Sequence, residues 1–109
     1  MLVLPVDCSR PLLVLGEATD QFKDRAAGLV ATDRETGAPL AEVNVVLTVD
    51  GGAPQMLRLS VPRPGLPERL GPGVFVKATG LTFVTGEKNG RTWQIFRASA
   101  LTVLKAVAP

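Results

Sequence analysis

The feature that most constrains this fold is the spread of chain-breaking residues along its whole length. Eleven glycines and nine prolines occur in 109 residues, and they leave no stretch with a 3.6-residue apolar period long enough for a regular helix. The runs between them are rich in β-branched residues or alternate in polarity, which is typical of strands. Hydrophobic residues make up 46% of the chain and charged residues 20%, as in globular proteins. We therefore expect one all-β domain spanning residues 1–109.

Two segments carry the alternation of half-buried strands. In residues 40–50, the odd-numbered positions from 43 onward are apolar and the even-numbered ones are mostly polar. In residues 55–61, the odd-numbered positions are again apolar, whereas Arg58 and Ser60 belong to the other face. Each strand should therefore bury one face and expose the other.

The remaining elements predict a barrel. Residues 22–33 read as the first main strand, with a bulge or bend at Gly28, and residues 34–38 as a hairpin loop. Residues 62–73 hold four prolines and allow at most one helical turn, around residues 66–70. Residues 74–84, a loop over 85–91 and residues 92–104 complete a final hairpin. This order predicts a five-stranded OB-like barrel with an N-terminal arm or extra strand at residues 1–20. A small β-sandwich or an SH3-like barrel is the competing fold.

Charge is divided unevenly between the two halves of the chain. Residues 1–50 hold four basic and eight acidic side chains, whereas residues 51–109 hold eight basic and two acidic ones, so the halves carry −4 and +6. This asymmetry points to a polyanionic partner. The alternative is ordinary surface charge that folding mixes.

The residue types present argue against an enzyme. The chain has no His, no Tyr and one cysteine, Cys8, which excludes a Ser-His-Asp triad, a Cys-His pair and a Cys or His metal site within it. We expect no metal or cofactor. No apolar run approaches the roughly 20 residues of a membrane span. Residues 1–8 lack the basic region of a signal peptide, so we expect a cytoplasmic location.

Because the residues needed for catalysis or metal binding are missing, we expect the chain to act through a binding surface. Alternation places Trp93, Ile95 and Arg97 on one face of the last strand, and we expect that face to point outward. An outward Trp beside an Arg suits base stacking and phosphate neutralisation. The candidate nucleic-acid-binding residues are Trp93, Arg97, Arg91, Lys88, Lys77, Phe75, Arg58, Lys23 and Arg25. For Trp93 and Phe75, packing into the core is the alternative.

Two short resemblances support this interpretation. Residues 73–104, GVFVKATGLTFVTGEKNGRTWQIFRASALTVL, resemble the C-terminal part of bacterial single-stranded-DNA-binding OB domains. Residues 32–39, TDRETGAP, with Val43-Asn44-Val45 and the later Arg97-Ala98 pair, resemble the actinobacterial plasmid replication, integration and excision activators. These resemblances imply a role in replication or transfer of a mobile element, through DNA or a replication protein.

Two classes of function therefore stay open. The first is a single-stranded DNA-binding OB-fold protein, with RNA as a related ligand, serving replication or transfer of a plasmid, phage or integrative element. The second is a protein-interaction or oligomerisation module without direct nucleic-acid binding. The aliphatic residues at both ends of the chain favour association with a second copy.

Overall fold

The computed structural model describes residues 2–7, 9–24, 26–47 and 52–104, and over these residues the fold is all-β. The strands are β1 (Leu2–Pro5), β2 (Leu12–Val14), β3 (Thr19–Asp20), β4 (Phe22–Asp24), β5 (Leu29–Val30), β6 (Leu40–Leu47), β7 (Gln55–Pro62), β8 (Phe75–Thr79), β9 (Thr82–Lys88), β10 (Arg91–Arg97) and β11 (Ala100–Val103). The helical part of the described chain is a single 3-10 turn, Arg63–Gly65. Within that part, no helix is long and apolar enough to cross a membrane.

One sheet, curled into a half-barrel, organises the molecule. Its strands lie in the order β1-β9-β10-β7-β6-β2-β8-β11, with β3 also paired to β6. Neighbouring strands in this path are antiparallel, except that β7 and β10 run parallel. A separate two-stranded hairpin joins β4 to β5.

One face of the sheet holds the core, and the apolar residues of β6 and β7 that alternate onto this face fill much of it. Val43 and Val45 of β6 and Leu59 and Val61 of β7 are fully buried. Burying a side chain of this size stabilises the fold by roughly 1.5–3 kcal/mol. Arg58, between two inward-facing neighbours, is exposed on the opposite face. The predicted alternation of these two strands therefore agrees with the structure.

The last third of the chain forms one bent two-stranded ribbon, which we call the C-terminal ribbon (β8–β11). Thr82 pairs with Arg97 on one side of the bend and Thr79 with Ala100 on the other, so the register continues through it. The bend lies at Gly80, whose φ of 64° is easy only for glycine. Beyond the bend, β9 and β10 pair with β1 and β7. Before it, β8 pairs with β2.

The tip of this ribbon is tighter than the loop predicted for residues 85–91. Strand β9 continues to Lys88 and β10 begins at Arg91, so two residues form the turn. Asn89 and Gly90 both have positive φ, 54° and 76°, which is the requirement of a two-residue hairpin turn that matches strand twist. The predicted polar loop is therefore mostly strand.

The prediction of a first main strand over residues 22–33 is wrong. The chain reverses there as the β4–β5 hairpin, with Gly28 at φ 69°. The strand that enters the sheet lies earlier, as β2 and β3 on β6. The helical turn expected around residues 66–70 is also misplaced, because the turn that forms is Arg63–Gly65. Residues 1–20 contribute both an edge strand, β1, and an interior strand, β2. Cys8 lies outside the described residues.

Candidate functional site

The outward face of β6, β7 and β10 carries a row of polar side chains. Arg97 of β10 pairs with Ser60 of β7 and with Thr82 of β9, and Ser60 pairs with Glu42 of β6. Paired residues of neighbouring strands share a face. Cationic, hydroxyl and carboxylate groups therefore follow one another across four strands on the side away from the core.

Two adjoining grooves lie on this face. We name the larger, about 380 Å³, the Arg97 groove, and the smaller, about 340 Å³, the Arg58 groove. Gln21 and Ser60 line both grooves, so the grooves meet at this pair. The other side chains that matter here are Asp33, Arg34, Glu35 and Ser99 in the Arg97 groove and Glu42, Asn44, Met56 and Ile95 in the Arg58 groove.

Arg58 and Arg97 are exposed, and among the described residues neither forms an ion pair with a carboxylate. Arg63, by contrast, forms an ion pair with Asp20 at 2.6 Å, and neither of these residues lines either groove. A guanidinium that is not paired with a protein carboxylate has N–H donors available for a ligand. The planar arrangement of these donors fits the two oxygens of a phosphate or a carboxylate.

Acidic groups also line the grooves, so the charge there is mixed. The carboxylate of Asp33 is occupied within its own loop, since it accepts hydrogen bonds from the Glu35 backbone N–H (3.2 Å) and the Thr36 hydroxyl (2.9 Å). Glu35 lines the Arg97 groove and Glu42 the Arg58 groove. A bound polyanion would therefore contact the two arginines, because the rest of the groove lining is not uniformly basic.

Trp93 lies on the outward face of the C-terminal ribbon, opposite Gly86. A Cβ atom at Gly86 would stand 2.7 Å from the Trp93 Cζ2 atom and 2.9 Å from Cε2, so the indole covers the glycine. Phe96 belongs to the other face, where it packs against the core and meets Phe83 at 5.0 Å between ring centroids. Trp93 is half-buried, with one side of its ring on the ribbon.

The alternation of β9 and β10 extends this face to the ribbon tip. Lys88 pairs with Arg91 directly before the turn, and both are exposed. They share the face of Trp93 and Arg97, because all four stand at alternate positions of paired strands. Of the predicted residues, this face thus holds Arg58, Lys88, Arg91, Trp93 and Arg97.

The other predicted residues lie elsewhere. Phe75 and Lys77 belong to β8, beyond the ribbon bend, where Phe75 pairs with Leu13. Lys23 is exposed on the β4–β5 hairpin, and Arg25 lies outside the described residues. None of the three described residues lines either groove. Of the predicted residues that the structure describes, Arg58 and Arg97 line the adjoining grooves and the others do not.

Several groove residues were not among the candidates from the sequence. Ser60 and Asn44 follow from the alternation of their strands, which already places them outward. Arg34 stands in a predicted loop that folds over the Arg97 groove. No feature of the sequence identifies Gln21 as a groove residue, because a single Gln between two short segments belongs to no repeating pattern. Tertiary pairing alone brings it to Ser60.

The described residues hold no group of three or more His, Cys, Asp or Glu side chains placed to bind a metal ion. A clear pKa shift among the described carboxyls occurs at Asp7, whose pKa is lowered by the hydrogen bond it accepts from the Ser9 backbone N–H at 2.9 Å. Asp7 is fully exposed and lies in neither groove.

Comparison with known proteins gives no relative from which to read a function. No protein-family model, no curated protein and no solved structure matches the chain.

Proposed function

We propose that this protein binds single-stranded DNA across the outward face of β6, β7 and β10. The observation that carries the proposal is the pair Arg58 and Arg97, which lie exposed on adjacent strands and have no carboxylate partner among the described residues. They line two grooves that meet at Gln21 and Ser60. A single strand laid across this face would have a cation in each groove. Trp93, farther along β10, offers a surface for base stacking.

The strand pairing supports an OB-type barrel as the framework of this site. In an OB barrel, the first strand pairs with both the second and the fourth, and the third runs parallel to the fifth. Here β2 pairs with β6 and β8, while β7 pairs with β6 and runs parallel to β10. The OB fold binds oligonucleotides on its second and third strands and on the loops beside them. These would be β6, β7, residues 21–39 and the ribbon tip.

Binding of this kind depends mainly on phosphate contacts, because aromatic residues are scarce. The chain has four Phe and one Trp, and the described part of the proposed face offers Trp93 as its stacking residue. One stacked base contributes about 1–3 kcal/mol. The remaining affinity would come from the arginines and lysines and would fall steeply as salt rises.

The test is fluorescence anisotropy of a labelled oligo-dT at low salt. We expect Arg58→Ala and Arg97→Ala each to weaken binding about tenfold, and Trp93→Ala to weaken it by a similar factor. Lys77→Ala is the matched control, since it removes one exposed cation outside the grooves. The absence of binding by the wild-type protein at tens of micromolar contradicts the proposal, as does an equal loss in the control.

A protein-interaction module is the second candidate, and the edge strand β1 favours it. Leu2, Val3 and Leu4 are each about half exposed, and among the described strands β1 pairs with β9 alone. Such an edge can accept a strand from another chain. Light scattering of wild type and Val3→Lys distinguishes this role. A wild-type oligomer that the substitution dissociates supports it, and a strict monomer at high concentration contradicts it.

The cellular role we propose follows from the sequence resemblances. A single-stranded DNA-binding accessory factor would act in replication or transfer of a plasmid, phage or integrative element, in the cytoplasm, in contact with a replication protein or a second copy of itself. Deletion of the coding sequence from such an element should lower its copy number or transfer frequency.

A further inference from the structure

The point where the two grooves meet is formed by a fixed amide. Gln21 stands between β3 and β4, and both of its backbone groups are engaged. Its N–H donates to the Leu40 carbonyl at 3.0 Å, and its own carbonyl accepts from the Ala31 N–H at 2.7 Å. The start of this side chain is therefore held in place by two neighbouring segments.

The end of the side chain is held as well. The hydroxyl of Ser60 donates a hydrogen bond to Oε1 of Gln21, and Ser60 is only 5% exposed. Ser60 is the buried polar side chain on the outward row that also contains Arg97. Among the described residues no partner engages the Nε2 group of Gln21, so its two donor hydrogens remain available at a position that lines both grooves.

Resting on the proposed function, we propose that Gln21 donates a hydrogen bond to the O4 carbonyl of a thymine in the bound strand and that Ser60 is its positioning residue. The Ser60 hydroxyl donates to Oε1, so Nε2 is the end of the Gln21 amide that is left to donate to a ligand. Thymine carries an acceptor, O4, where cytosine carries an N4 amino donor. The Nε2 donors of Gln21 should therefore favour the thymine O4 acceptor over the cytosine N4 amino group.

The test measures affinity for labelled oligo-dT and oligo-dC of equal length at one salt concentration. We expect the wild-type protein to bind oligo-dT about fivefold more tightly, the effect of one typical net hydrogen bond. Gln21→Glu replaces the donor with an acceptor and should reverse the preference toward oligo-dC. Ser60→Ala should bring the ratio near one, and Ser60→Thr, which keeps the hydroxyl, should preserve it.

Gln55→Glu is the matched control, because it makes the same change on β7 outside both grooves. It should lower both affinities slightly and leave their ratio unchanged. If the wild type binds both oligomers equally, or Gln21→Glu binds with an unchanged ratio, the assignment to Gln21 is overturned while DNA binding stands. If the wild type binds neither oligomer, the proposed function fails and the assignment to Gln21 fails with it.

Discussion

Replacing Gly65 with alanine tests how the proline-rich connector is seated on the C-terminal ribbon. A Cβ atom at Gly65 would lie 2.2 Å from the Ser99 carbonyl oxygen and 3.0 Å from the Ala100 Cα atom. Both are backbone atoms of the ribbon, so no side-chain rotation relieves the clash. Attractive contacts need about 3.5–4.0 Å between carbon atoms, so the two segments must separate by about 1 Å.

The connector and the C-terminal ribbon can separate in two ways, and each lowers the stability of the fold. If the ribbon moves, the hydrogen bonds that the Ser99 backbone N–H and hydroxyl each donate to the Thr79 carbonyl at 2.9 Å are disturbed, at about 1 kcal/mol each. If the connector lifts, Leu66 and Leu70 leave the core against which they pack half-buried. Losing about half of the burial energy of each leucine costs roughly 1.5–3 kcal/mol in total.

We therefore expect Gly65→Ala to lower the free energy of unfolding by about 1.5–3 kcal/mol, which would lower Tm by roughly 10 °C for a domain of this size. The assay is urea unfolding followed by Trp93 fluorescence, with a thermal melt beside it. Gly71→Ala is the control, because a Cβ there meets nothing within 4 Å, and we expect a change below about 0.5 kcal/mol. Equal stability of the two variants would refute the close seating of the connector.

Three further predictions follow from the same contacts. Leu59→Ala, at a fully buried position, should cost about 3–4 kcal/mol in urea unfolding, and a loss below 1 kcal/mol would contradict its place in the core. The double variant Arg58→Ala/Arg97→Ala should reduce the slope of log K against log salt for oligo-dT by about 1.4, since each lost phosphate contact on a single strand contributes about 0.7; an unchanged slope would mean that neither arginine contacts phosphate. Gly86→Ala should displace the indole of Trp93 and shift its emission to longer wavelength, whereas an unshifted spectrum would show that the ring does not rest on the glycine.

The local pattern of the sequence determined the strands that carry the candidate site. Alternation over residues 40–50 and 55–61 assigns Arg58 and Ser60 to the outward face, because a strand turns successive side chains to opposite sides. The same period separates Trp93 from Phe96 in β10. An all-β fold follows from glycines and prolines that interrupt any helical period. These features depend on neighbours within a few residues, so the sequence alone contains them.

Tertiary structure decided which of these faces come together. The predicted strand over residues 22–33 became a hairpin, because the chain must reverse near Gly28 so that β2 and β3 can pair with β6. Neither the parallel pairing of β10 with β7 nor the contact of Gln21 with Ser60, 39 positions away, has a local signal. Pairing partners are selected by the burial of whole strands in one shared core, and that selection depends on residues distant in the chain. For the same reason, Lys77 and Lys23 are as basic as Arg58 in the sequence, yet the fold leaves them outside the grooves.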